Sequence, residues 1–129
     1  MNATPKVFDV KIFVPTKDLD VSRRFYEEVG WRCNWRVDGL AEMELADKRL
    51  YLQKFYAKEW AENFMIYVAV EDAEVWFNRL NRIVESGTFP GTRVQPPKVE
   101  PYGAKVTYAW DPCGVLLHFA QAINQGQDS

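Results

Sequence analysis

The sequence predicts an α+β protein built from two copies of one strand-helix-three-strand unit. Two observations carry that class. The run Val10-Lys11-Ile12-Phe13-Val14, followed by Lys17-Asp18 and a helical pattern, returns as Phe64-Met65-Ile66-Tyr67-Val68, followed by Glu71-Asp72 and a second helical pattern. At one constant offset Ile12 falls on Ile66, Val14 on Val68, Asp18 on Asp72 and Val21 on Val75, with Phe13 matched by the aromatic Tyr67. In 129 residues, two half-domains sharing one core fit better than two independent domains. The expectation is a single domain over residues 1–129, with unit one at 7–55 and unit two at 64–121.

Each element has a local cause. Residues 8–14 alternate, with Phe8, Val10, Ile12 and Val14 on one face and Asp9, Lys11 and Phe13 on the other, which predicts a strand with one apolar face. Asp18 or Asp20 is placed to cap a helix at 20–29, where Val21, Phe25 and Val29 recur at four-residue steps and Gly30 provides a stop. Strands are expected at 31–37, 40–46 and 49–55, with Asp38-Gly39 as a hairpin signal and Asp47-Lys48 as the second turn.

A polar link at 56–63 leads to a strand at 64–70. Asp72 caps a helix whose Trp76, Leu80, Ile83 and Val84 share a face and which Gly87 closes. The proline-rich segment 94–101 reads as a longer crossover loop before strands at 104–110 and 115–120, joined by Asp111-Pro112-Cys113-Gly114. Residues 123–129 are polar and are expected to fray.

Charge and composition narrow the function classes. The 16 basic and 18 acidic side chains give a net charge of -2 with no basic run, which argues against nucleic acid as a partner. No apolar stretch approaches the roughly 18 residues of a membrane span, and the first residues lack a signal-like apolar core, so the expectation is a cytoplasmic chain with no membrane partner. Cys33 and Cys113 are far apart and make neither a zinc motif nor a disulfide framework, so both are expected as free thiols. Five Trp, six Tyr and eight Phe are enough to line a cavity for a planar or apolar ligand as well as a core.

With Lys17-Asp18-Leu19 before Phe25-Tyr26, Val70-Glu71-Asp72 before the second helix, and Asp111-Pro112-Cys113-Gly114 before the last strand, residues 7–121 resemble the vicinal oxygen chelate superfamily. That group includes glyoxalase I, fosfomycin and bleomycin resistance proteins and extradiol dioxygenases. The resemblance implies two βαβββ units forming a curved mixed sheet around a funnel-shaped cavity, and a homodimer in which units of two chains meet. In metal-using members each unit gives one ligand from its first strand and one from its last. The matching positions here are Lys11 and Tyr51 in unit one, with Gln53 in place of Tyr51 if the register moves by two, and Met65 and His118 in unit two.

Lys, Tyr, Met and His do not make a site for a hard or borderline divalent ion. An ammonium repels the ion, neutral phenol ligates poorly and thioether is soft. The expectation is therefore no metal and no cofactor. Strand alternation puts Lys11, Phe13, Tyr51, Met65, Tyr67 and His118 on the inward face, as an aromatic chamber with two polar handles or as aromatics that fill the funnel themselves. Lys11 has two readings, a handle for an acidic ligand or an internal ion pair with Asp9, Glu42 or Glu44. His118 is either a hydrogen-bonded lining residue or an acid or base near neutrality.

The function these features favour is a metal-free binding protein that holds a flat aromatic or carboxylate-bearing small organic molecule. Two alternatives keep the same scaffold. One is a metal-independent lyase or isomerase with Lys11 and His118 as its acid-base pair. The other is a metal-dependent lyase or dioxygenase whose ligands come from a shifted set among Gln53, His118, Glu42 and Glu44.

Overall fold

A computed structural model describes residues 4–123. Unit one contains β1 (Phe13–Thr16), α1 (Leu19–Val29), β2 (Arg32–Val37), β3 (Leu40–Leu45) and β4 (Lys48–Lys54). A short α2 (Lys58–Ala61) leads into β5 (Met65–Ala69), α3 (Ala73–Glu85), β6 (Arg93–Val94), β7 (Lys98–Glu100), β8 (Ala104–Trp110) and β9 (Leu116–Ala122). The strands form two open mixed sheets. The first has the order β1-β4-β3-β2 and the second β5-β9-β8-β6, with β7 also paired to β8. In each sheet the first strand runs parallel to the last, and the remaining pairs are antiparallel.

Both helices start as their sequences require. Asp18 accepts hydrogen bonds from the backbone N–H groups of Asp20 and Val21, and Asp72 does the same for Glu74 and Val75. Asp18, not Asp20, is thus the first cap. Gly30 ends α1 at φ 135°, a conformation that disfavours any side chain. Phe25, Tyr26 and Val29 of α1 meet Leu80 and Ile83 of α3 in a core that also takes Val14, Leu52, Leu117 and Phe119 from the two sheets. Arg79 of α3 donates to the terminal carbonyls of α1 at Val29 (2.7 Å) and Glu28 (3.2 Å), using a guanidinium to satisfy groups the helix leaves open.

Four expectations are corrected. The first strand begins at Phe13 and not at residue 8; Phe8 is 88% exposed and Val10 and Ile12 are also open to solvent. Asp9 bonds the next backbone N–H and pairs with Lys11 and Arg49, so its side chain ties down the approach to the strand, and the ladder is joined at the Ile12 carbonyl, which accepts from Tyr51 N–H at 2.9 Å. The link at 56–63 contains α2. The crossover at 94–101 is not a plain loop, since β6 and β7 both pair with β8; Pro96 and Pro97 lack N–H donors and split what would be one strand into two pieces. Ile123 is tied by its N–H to Gly103, while the rest of the expected frayed end, residues 124–129, lies outside the described residues.

The turn at Asp111-Pro112-Cys113-Gly114 locks the two units together. Asp111 is fully buried and accepts three hydrogen bonds, from Tyr26 Oη (2.7 Å), Cys113 N–H (2.7 Å) and Val115 N–H (3.0 Å). Cys113 Sγ in turn accepts from the Lys17 N–H at 3.1 Å, at the corner between β1 and α1. Burial pushes the Asp111 carboxyl up to about 6 against the opposing effect of its three donors. A carboxyl raised on folding holds its proton more tightly in the folded chain. Its contribution to stability is complete below about 3.8 and is lost as pH rises through about 6.

Asp111→Ala strands three buried donors at roughly 1–3 kcal/mol each, so urea unfolding should show a loss of at least about 3 kcal/mol. Asp111→Asn keeps an oxygen for both turn N–H groups but cannot titrate. The stability difference between wild type and Asp111→Asn should shift by about 2–3 kcal/mol against wild type between pH 4 and pH 7.5. Parallel pH profiles would refute this assignment.

Candidate functional site

The repeat places equivalent residues on equivalent rungs of the two sheets. In sheet one the rung is Phe13, Tyr51, Glu42 and Trp35, reading across β1, β4, β3 and β2. In sheet two it is Tyr67, His118 and Tyr108 across β5, β9 and β8. The neighbouring rungs, with Val14 and Leu52 in the first and Ile66 and Leu117 in the second, point into the core. Strand alternation therefore sends the named side chains to the faces opposite the helices.

On sheet one the rings of Phe13 and Tyr51 lie 5.2 Å apart and those of Tyr51 and Trp35 5.5 Å apart, a continuous aromatic row. Its polar partners come from a bulge. Cys33 opposes Met43 and Trp35 opposes Glu42, so Asn34 is the extra residue between them. Asn34 Nδ2 reaches both Glu42 (2.9 Å) and Glu44 (2.8 Å). Lys11 Nζ sits 3.2 Å from Asp9, 3.9 Å from Glu42 and 5.7 Å above the Tyr51 ring. Of the three ion-pair partners expected for Lys11, it meets Asp9 and Glu42; Glu44 is taken by Arg32 at 3.1 Å. Gln53 lies one pleat beyond Tyr51, paired with Pro15 and Leu40.

On sheet two His118 stands between the rings of Tyr108 (4.9 Å) and Tyr67 (5.9 Å), while Tyr108 Oη donates to Glu100. His118 Nδ1 is buried without a hydrogen-bond partner among the described residues. Partial burial lowers the imidazole below its usual 6.5, with Glu100 opposing, which favours the neutral ring. Met65 is 60% and Tyr67 57% exposed. Arg93 lies over the Trp110 ring at 4.0 Å, which makes it a stacking residue of this same sheet.

The expected site residues thus form two sets on two sheets, Lys11, Phe13, Tyr51 and Gln53 on one and Met65, Tyr67 and His118 on the other. Neither set encloses a chamber within one chain. An apolar groove of about 660 Å³ at the seam is lined by Ile12, Leu50, Ile66, Val68 and Trp76, and of the expected site residues Tyr67 borders it. Asn34, Tyr108 and Glu100 were not foreseen as site residues, and Trp35 was foreseen only as one of four tryptophans, with Trp31, Trp60 and Trp110, whose facing the sequence leaves open. Plain alternation puts Trp35 on the core-facing side with Cys33, and it is the extra residue at Asn34 that turns it to the other face, a change with no one-dimensional signal.

The donor set does not fit the metal that the fold family uses. Lys11 is a paired cation, Tyr51 is a neutral phenol flanked by the tilted rings of Phe13 and Trp35, Met65 offers a thioether and His118 is the one imidazole of the chain. The shifted set fares no better, since Asn34 holds both Glu42 and Glu44, and among the described residues no three His, Cys, Asp or Glu side chains converge.

A two-sheet α+β scaffold of this kind, with open mixed sheets, has the fold of bleomycin resistance-type proteins. The family model described as Glyoxalase/Bleomycin resistance protein/Dioxygenase superfamily matches residues 10–119, and the chain belongs to that superfamily. Among solved structures it is similar to a bleomycin-binding protein complexed with bleomycin, at 21% identity and TM-score 0.74, covering 92% of this chain and 100% of that one. The bleomycin-binding protein of Streptomyces verticillus complexed with copper(II)-bleomycin aligns at 18% identity and TM-score 0.74 over 95% of this chain and 100% of that one. A lactoylglutathione lyase of Agrobacterium tumefaciens aligns at 15% identity and TM-score 0.66 over 90% of this chain and 95% of that one. These likenesses establish the fold alone. No curated protein matches the chain by sequence.

His118 is the chain's one histidine, so its imidazole resonances can be followed by NMR without assignment. They should titrate with a midpoint below 6.5, and Glu100→Gln should lower that midpoint further because Glu100 favours the charged ring. A midpoint at or above 6.5 would contradict the partial desolvation of the imidazole. Since His118 is depressed on folding, its contribution to stability is present above 6.5 and falls as pH drops below that value.

Proposed function

We propose that this protein is a metal-free small-molecule binding protein that holds a flat aromatic ligand against the Phe13-Tyr51-Trp35 row. The observation that carries this reading is the row itself. On a sheet face the Tyr51 ring meets Phe13 on one side and Trp35 on the other, with Phe13 43% and Trp35 39% exposed where such side chains would otherwise be covered. Stacking on a rigid sheet favours a planar molecule. The superfamily membership supports ligand binding of this general type, and the misfit of the donor set supports binding without a metal.

The chamber that one chain leaves open would be completed in a homodimer. Exposed Met65 and Tyr67 on sheet two and exposed Phe13 on sheet one are complementary apolar faces, so a second copy would cover each set with the other. In that arrangement Lys11 and His118 would face one another, and the neutral imidazole would suit a base; this is the form in which a lyase or isomerase reading survives. The balanced charge and the two free thiols fit a cytoplasmic setting.

Protein purified from its natural host without chelator and sprayed under native conditions should carry a small organic molecule at a mass consistent with a dimer. A stoichiometric divalent ion would overturn the metal-free reading, and a monomer with no bound species at micromolar concentration would overturn the shared chamber. Tyr51→Ala should weaken binding of that molecule about tenfold by calorimetry, the scale of one lost aromatic contact.

A further inference from the structure

The face of sheet one holds a buried carboxylate with one oxygen bonded within the sheet and one oxygen to spare. The Glu42 side chain is 9% exposed, and its register partners are Trp35 on one side and Tyr51 on the other. Its Oε2 accepts from Asn34 at 2.9 Å, but the nearest cation to Oε1 is Lys11 Nζ at 3.9 Å, beyond hydrogen-bond length. The other two carboxylates of the face are better supplied. Asp9 has Lys11 at 3.2 Å and Arg49 at 3.4 Å, and Glu44 has Arg32 at 3.1 Å. Glu42 is thus a nine-tenths buried carboxylate with one oxygen left for a further donor, on the strand between those that carry Trp35 and Tyr51.

We infer that Glu42 reads the charge of the ligand, and that the ligand class is a flat aromatic bearing a protonated amine or amidine. The ring lies along Phe13, Tyr51 and Trp35 while the cationic N–H donates to Glu42 Oε1. This rests on the binding-protein reading above. A charge-assisted bond to a desolvated carboxylate, combined with a cation beside aromatic faces, discriminates strongly against a neutral or anionic analogue. Lys11 gives the precedent within the molecule: its ammonium already sits over Tyr51 beside Glu42. It therefore competes with a ligand cation and does not serve as a handle for a ligand carboxylate.

Three probes that share a naphthalene ring separate these terms: naphthylmethylamine, naphthalenemethanol and naphthaleneacetate, each titrated calorimetrically into the full chain at pH 7. The amine should bind at least about tenfold more tightly than the acetate, with the alcohol between them. Glu42→Gln preserves the shape and the Asn34 contact. It should bring the amine to within about twofold of the alcohol while leaving the alcohol unchanged. Lys11→Met should raise amine affinity several-fold, and it carries the same test with opposite sign if Glu42→Gln fails to fold.

Acetate binding as tight as the amine, or an amine-to-alcohol ratio unmoved by either substitution, overturns the role of Glu42 while alcohol binding keeps the aromatic site intact. Failure of all three probes, the neutral alcohol included, overturns the binding-protein reading and this inference with it.

Discussion

The buried carboxyl of Asp111 is the constraint on which the assembly of the two units depends. It gathers Tyr26 from α1 and two backbone donors from its own turn, and that turn also holds the β1–α1 corner through Cys113. Tyr26 is buried and wedged edge-on against Phe25 and Trp31, so a bond to its hydroxyl fixes a whole helix and not just a side chain. The raised carboxyl reports the cost of this arrangement. Desolvation outweighs three hydrogen bonds, as expected for an acid removed from water without a cation nearby. Because β9 leaves this turn and carries His118, the same carboxyl orients one of the two candidate faces.

The repeated scaffold explains why the two faces are comparable and why their chemistry is not. Phe13 opposite Tyr51 and Tyr67 opposite His118 are the same parallel rung in two copies. Backbone hydrogen bonding enforces that equivalence and is indifferent to what the outward side chains are. The outward side chains then diverge. Sheet one gained a charged network threaded through a bulge, and sheet two an imidazole set between two phenols. Neither is a set of hard donors around an open position, which is what a chelating metal centre requires.

Much of the architecture was legible because its causes are local. Asp18 and Asp72 cap the two long helices they precede, Asp38-Gly39 turns a hairpin, and alternation separates Phe13 and Tyr51 from Val14 and Leu52. Where reading failed, the missing information was non-local. Phe8, Val10 and Ile12 have the pattern of a half-buried strand, yet alternation names a face without supplying a surface to bury it. Pro96 and Pro97 suggested a loop, but the pieces on either side still found β8. Site facing followed from the period of the strands. Site partners did not, because the extra residue at Asn34 brings Glu42 and Glu44 under one amide, and Tyr108 meets Glu100 across a pairing that the prolines concealed.

The retention of Glu42 in so buried a position is hard to explain by stability. A carboxylate removed from water loses several kcal/mol of hydration, and a cation held at 3.9 Å without a hydrogen bond returns only part of it. An apolar residue on the strand between Trp35 and Tyr51 would carry no such cost. Nor does Glu42 hold the sheet together, since the β2–β3 and β3–β4 ladders are backbone contacts. What the carboxylate does supply is a directional acceptor in a low-dielectric, ring-lined setting, where a single matched donor is worth more than it would be in water. Its geometry is therefore that of a recognition element, carried at some expense to the fold on a face that the core leaves free.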